Sequence, residues 1–213
     1  SSRIVYFLDL RSNMNFGTRR ALKSVAAVEA MTIMAWRAIK NHTHVGVAIG
    51  ENTDTRFLGW ANNTTSFSKI LTDVIISHQK SRTVCADNEQ SLDHSLDYIE
   101  PYIEKAAMTI ITGLDHVGGS FETIIHRLSN KKHMTLLIIS DLFEREPLSG
   151  KYPFRTRDGF CGNIYLKQNP ESRITPDTSD IYRNLGVRSA CIYSEWEMAE
   201  LASNLERIDD RSY

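Results

Sequence analysis

Ile4-Val5-Tyr6-Phe7-Leu8-Asp9-Leu10-Arg11-Ser12-Asn13-Met14-Asn15-Phe16-Gly17-Thr18 is the stretch on which the reading of the fold turns. Its first five residues form a nearly continuous apolar run, the pattern of a strand buried on both faces. The run stops at Asp9, and a polar turn follows through Gly17. From Thr18 to residue 40 the period changes to that of a helix. Leu22, Val25, Ala26, Met31, Met34 and Ala35 recur at spacings of three and four, with Thr18 placed as the cap.

The same alternation continues along the chain. Strands are expected at 45–49 and 56–60, a loop at 62–66 and a helix at 67–78. Residues 80–90 read as a polar loop, and 91–108 as a helix capped by Ser91 and kinked or broken at Pro101. Gly118-Gly119-Ser120 precedes a helix through Leu128, and a buried strand at 134–139 ends in Ser140-Asp141. Residues 144–178 hold four of the five prolines and read as an irregular insertion with one strand at 163–166. A strand at 188–193 and a helix at 195–208 close the pattern.

Strands alternating with helices predict an α/β fold: a Rossmann-like three-layer αβα sandwich on a mostly parallel sheet, with residues 1–213 as one domain. In such sheets ligands bind at the carboxyl ends of strands, where the strand order reverses. Asp9 and Asp141 both fall at strand ends of that kind.

Composition bounds the function. The chain has 213 residues, 41% hydrophobic and 24% charged, enough for a core without disulfides or a structural metal. A formal net charge of −1 gives no electrostatic reason to expect nucleic acid or an anionic membrane. Cys85, Cys161 and Cys191 are odd in number, widely spaced and outside any metal-ligand spacing, which points to a reducing cytoplasm. No apolar run approaches the ~20 residues that span a bilayer. The opening directly on a strand, without a signal-peptide pattern, is expected of an excised domain or of a chain lacking its upstream part.

The stretch Asp9 to Thr18, followed by Lys23 and an Ala-rich helix, resembles the opening of a bacterial von Willebrand factor A-like family. Members of that family are often encoded beside MoxR-type AAA+ ATPases. Its usual opening is Asp-x-Ser-x-Ser-Met-x-Phe-Gly, and a later strand ends in Ser-Asp, as Ile138-Ile139-Ser140-Asp141 does here. Val45-Gly46-Val47 is similar to its second strand. The resemblance covers roughly residues 3–143, and beyond that the final strand and helix.

That resemblance implies a metal-ion-dependent adhesion site. Magnesium is a hard cation seeking about six oxygen ligands, and an open position on it accepts a partner's carboxylate. Position by position, Asp9 and Asp141 match the family's two aspartates, and Ser120 stands nearest to its threonine. Asn13 replaces the second serine and can offer a carbonyl oxygen. Arg11 replaces the first serine and cannot be a ligand, because guanidinium has no acceptor.

Three readings are open. In one, Mg2+ binds through Asp9, Asn13, Ser120 and Asp141 while Arg11 swings out. In another, Arg11 folds inward and its charge stands in for the cation between the aspartates. In the third, the two aspartates only cap turns or helices. The seven histidines are scattered, and no Gly-x-Ser-x-Gly elbow, P-loop or dinucleotide fingerprint is present.

The function expected is therefore a protein-interaction domain, with Arg11, Ser12, Asn15, Thr64 and Glu144 on its partner-binding face. By resemblance, the partner is a MoxR-type ATPase or a client that it remodels. The alternative is a magnesium-dependent phosphoester hydrolase using Asp9 and Asp141, with Arg11 and Lys23 on phosphate, but no base is evident. A structural homo-oligomer is the third class.

Overall fold

The computed structural model describes residues 2–82, 88–103, 105–146, 148–155, 161–166, 182–183 and 185–210. Strand β1 (Arg3–Asp9) lies between β2 (His44–Gly50) and β4 (Ala107–Thr112), parallel to both. The full order is β3-β2-β1-β4-β5-β8, where β3 is Thr55–Ala61, β5 is Met134–Ser140 and β8 is Arg188–Tyr193. Among the described strands of this sheet, only β3 runs antiparallel to its neighbour.

Both faces of this sheet are covered. Tyr6 and Leu8 of β1 pack with α1 (Lys23–Lys40), α2 (Thr64–Ser81) and α6 (Met198–Asp210). Val5 and Phe7, pointing the other way, pack with α3 (Leu92–Ile99) and α4 (Phe121–Ser129). A strand that feeds two cores must be apolar at every position, which is why 4–8 carries no polar alternation. The expected three-layer αβα sandwich with a mostly parallel sheet is the fold observed.

Several local expectations need correction. Helix α1 starts at Lys23, with Leu22 at its N-cap, and the Thr18 hydroxyl is bonded to Asp141 instead. The loop before it doubles back, so that the Lys23 amide donates to the Phe16 carbonyl at 2.7 Å. A Cβ on Gly17 would sit 2.2 Å from the Ala21 carbonyl, so this return requires glycine. Helix α2 begins at Thr64 rather than 67, because Asn63 and Ser66 form a capping box.

The largest difference lies at 91–108. Helix α3 ends at Ile99, a 3-10 turn spans Glu100–Tyr102, and Ala107–Thr112 is the central strand β4. The apolar spacing of a short helix runs directly into the apolar run of a buried strand, and periodicity alone does not separate them. Within 144–178, two strands are described, β6 (Gly150–Arg155) and β7 (Cys161–Leu166), paired antiparallel apart from the main sheet. Residues 167–178 lie outside the described residues, as does Cys85.

Candidate functional site

The chain leaves β1 toward β2 and β3 on one side and later returns to β4, β5 and β8 on the other. The carboxyl ends of β1 and β4 therefore mark the point where the strand order reverses. Asp9 closes β1 there and Thr112 closes β4, and the Thr112 hydroxyl donates to Asp9 Oδ2 at 2.7 Å.

Arg11 fills this position. Its side chain is 0% exposed, as is that of Asp9. Nε donates to Asp9 Oδ1 at 2.9 Å and Nη2 to Oδ2 at 2.7 Å, the bidentate fork that suits a carboxylate. The remaining N–H groups reach backbone carbonyls: Gln90 at 3.0 Å and His116 at 2.9 Å from Nη1, and Asp115 at 2.9 Å from Nη2. All five guanidinium donors are thereby used. Burial alone would lower the pKa of Arg11, but Asp9, and after it Glu89 and Asp115, hold it above its ordinary value.

The backbone is shaped to this cation. Leu114 and His116 take left-handed φ angles of 60° and 44°, and the Asp115 and His116 carbonyls both face the guanidinium. Such conformations cost roughly 1–3 kcal/mol each and persist only where the surroundings enforce them. Glu89 lies 3.7 Å from Nη1 and also accepts from the Ser12 hydroxyl and from Asn13 Nδ2. Asp9, Glu89 and three carbonyls thus make an oxygen cage around Arg11, drawn from three separate segments.

Asp141 stands in a second, adjoining network. It accepts from the Thr18 amide at 3.0 Å, the Thr18 hydroxyl at 2.5 Å, the Phe143 amide at 3.0 Å and the Ser194 hydroxyl at 2.7 Å. It also caps the short helix α5 (Leu142–Arg145), with Glu144 returning a bond to the Asp141 amide. Burial would raise its pKa, but the bonds from Thr18, Phe143 and Ser194 hold it below the usual carboxylate value. Lys23 connects the two networks. It is 1% exposed and donates to Asp115 Oδ2 at 2.9 Å and Glu144 Oε1 at 2.7 Å. Burial lowers its pKa less than those two carboxylates raise it.

The residues singled out from sequence separate into groups. Asp9, Arg11, Ser12 and Asn13 come together around Glu89. Asp141 and Glu144 meet across α5. Ser120 sits elsewhere, its amide bonded at 3.0 Å to Asp93 Oδ2. Asn15 bridges the Ser81 carbonyl and the Ser24 hydroxyl, and Thr64 is exposed in the first turn of α2.

Four donors occupy the Asp9 carboxylate: the Arg11 amide, Nε, Nη2 and Thr112. Four likewise occupy Asp141. Oxygens so committed to N–H and O–H donors do not fit a resident divalent cation in this arrangement. Among the described residues, no group of three or more His, Cys, Asp and Glu is placed to hold a metal.

Sequence reasoning missed Glu89, Thr112, Asp115 and Ser194, and read Thr18 only as a helix cap. Thr112 ends β4 and Ser194 follows β8, so the strand-end rule that found Asp9 finds Ser194 from the expected strand at 188–193 and Thr112 once β4 is recognised. Nothing in the sequence marks Glu89.

The model of a family described as "Protein of unknown function DUF58" matches residues 1–158. No curated protein matches the chain. Among solved structures, the conserved hypothetical protein BatB from Bacteroides thetaiotaomicron is similar at TM-score 0.62 and 13% identity, covering 100% of this chain and 99% of that one. An aerotolerance-related membrane protein from Bacteroides fragilis aligns at TM-score 0.54 and 13% identity, covering 99% and 98%. A von Willebrand factor type A structure from Catenulispora acidiphila aligns at 0.56 and 14%, covering 99% of this chain and 42% of that one. At such identities the likeness is one of fold. Among the described residues, no helix is long and apolar enough to cross a membrane.

Proposed function

This chain belongs to the DUF58 family, and on that premise we propose that it is a von Willebrand factor A-like protein-interaction domain that engages its partner without a divalent cation. The observation that carries the reading is the buried pairing of Arg11 with Asp9 at the switch point of the sheet. In the metal-dependent version of such a site, an ion holds the loops in place and offers an open position to a partner. Here a covalently attached cation organises the loops and has no donor left to offer. Recognition then falls to the side chains around it on the same face, Ser12, Asn15 and Glu144. Thr64, also expected there, follows the end of β3 that pairs with Val45 and so lies at the opposite end of the sheet from Asp9. The resemblance of the opening motif makes a MoxR-type AAA+ ATPase or one of its clients the partner to try first.

The test is partner affinity measured in EDTA and again in millimolar magnesium. Equal affinities support the reading, and a loss of binding in EDTA would sink it. The hydrolase alternative has less support, because Arg11 and Lys23 are both spent on internal acceptors and are not poised for phosphate. A screen of phosphate esters over several metals is expected to show no turnover that Asp9→Ala removes.

A further inference from the structure

Beside the Arg11 cage lies a cavity of about 460 Å3, between the β1–α1 loop and α5. Phe16 and Phe143 form its walls, their rings 6.0 Å apart. Lys23 and Asn13 line its inner part, and Asp115 and Glu144 stand at its rim with side chains 47% and 36% exposed.

The polarity of this cavity is one-sided. In its lining two carboxylates, those of Asp115 and Glu144, reach solvent at the rim, while the cation beside them, Lys23, is buried. The charge facing solvent is therefore negative. Lys23, the cation in the lining, already binds both rim carboxylates. Among the described residues no donor reaches Oδ1 of Asp115. Asn13 Nδ2 donates to Glu89 and the Asp115 carbonyl, which fixes the amide orientation and leaves the buried Oδ1 without a partner. What the cavity offers is acceptors and aromatic faces, the environment in which a guanidinium is held by carboxylates and stacked on rings.

We infer that this cavity receives an arginine side chain of the partner protein, held by Asp115, Glu144 and the Asn13 carbonyl and covered by Phe16 and Phe143. This rests on the reading of the chain as an interaction domain, and it reverses the chemistry of a metal-bearing site: the partner brings the cation instead of a carboxylate.

The test is an NMR titration of the 15N-labelled chain with a glycine-arginine-glycine peptide, its citrulline analogue and a glycine-glutamate-glycine peptide. Each is run in EDTA and in magnesium. The arginine peptide is expected to shift the amides of Asn13, Phe16, Asp115 and Glu144 equally in both buffers. Citrulline in place of arginine, or Asp115→Asn in the chain with its spectrum otherwise intact, is expected to weaken binding at least about tenfold. Equal binding of arginine and citrulline peptides, or no shift with arginine, overturns the inference. If the glutamate peptide alone shifts these amides, and only in magnesium, the metal-independent reading falls with it. If no peptide binds in either buffer, the cavity inference alone falls, since partner affinity in EDTA tests the other reading separately.

Discussion

Arg11 and Asp9 lie two residues apart and meet as a fork, Nε on Oδ1 at 2.9 Å and Nη2 on Oδ2 at 2.7 Å, both side chains fully buried. A pair of this kind is expensive to break from one side, because the remaining charge stays buried alone. Arg11→Ser is expected to lower stability by about 3–5 kcal/mol in metal-free buffer, read from urea unfolding. Arg11→Lys should recover less than half of that, since an ammonium cannot reproduce the fork or reach all three carbonyls.

Removing the guanidinium leaves Asp9, Glu89 and the carbonyls of Gln90, Asp115 and His116 around an empty position. Hard cations bind such oxygen sets. Arg11→Ser should therefore gain magnesium or manganese binding by calorimetry, with a matching rise in its urea midpoint. If the variant shows neither, Arg11 does not stand in for an ion.

Thr18 gives Asp141 two of its four donors, one from the backbone and one from the hydroxyl. Thr18→Val keeps the first and deletes the second, for an expected loss of about 1–2 kcal/mol. Thr18→Ser should restore most of it, which separates the hydrogen bond from any packing effect of the methyl group.

The low pKa of Asp141 sets the sign of an acid limb. Its folded value lies below its unfolded one, so its contribution is complete above about pH 4 and is lost as pH falls through the folded value. Urea midpoints measured down this range should fall for the native chain and fall less steeply for Asp141→Asn. Lys23 acts at the opposite end. Its folded pKa is raised, so its contribution is complete below the ordinary lysine value and is lost as pH rises past it toward the folded one. Lys23→Met should flatten the alkaline limb.

Gly118 adopts a φ of +88°, and a Cβ there would fall 2.1 Å from Asp93 Oδ1. Asp93 holds the Ser120 amide and the start of α3. Gly118→Ala should cost roughly 1–3 kcal/mol through backbone strain alone, and more if Asp93 is displaced. A melting temperature unchanged by Gly118→Ala would show that this loop relaxes freely.

The central strand β4 was the chief element not legible from the sequence. Ala107–Thr112 carries the β-branched, apolar run of a buried strand, but Leu92, Leu96, Ile99 and Ile103 lead into it at helical spacing and all face the same core. Thr112 went unseen with it, and so did one of the two strand ends that define the site. Thr18 was assigned to the wrong partner for a related reason. A threonine before a helix reads as its cap, and only the fold brings Asp141, 123 residues away, within reach.

The sequence by itself determined the layers and the strand-end aspartates, because burial on two faces and helical amphipathicity are periodic and therefore local properties. Its resemblance to the von Willebrand factor A-like opening implied that Arg11 stands where a hydroxyl ligand would be expected, and guanidinium cannot ligate a metal. Whether Arg11 would turn outward or inward was decided only by the tertiary structure. The carbonyls of Gln90, Asp115 and His116 and the carboxylate of Glu89 come from distant segments, and only their convergence makes a buried guanidinium favourable. Without those acceptors the desolvation of Arg11 would send it to solvent. With them, the strand ends close around an internal ion pair.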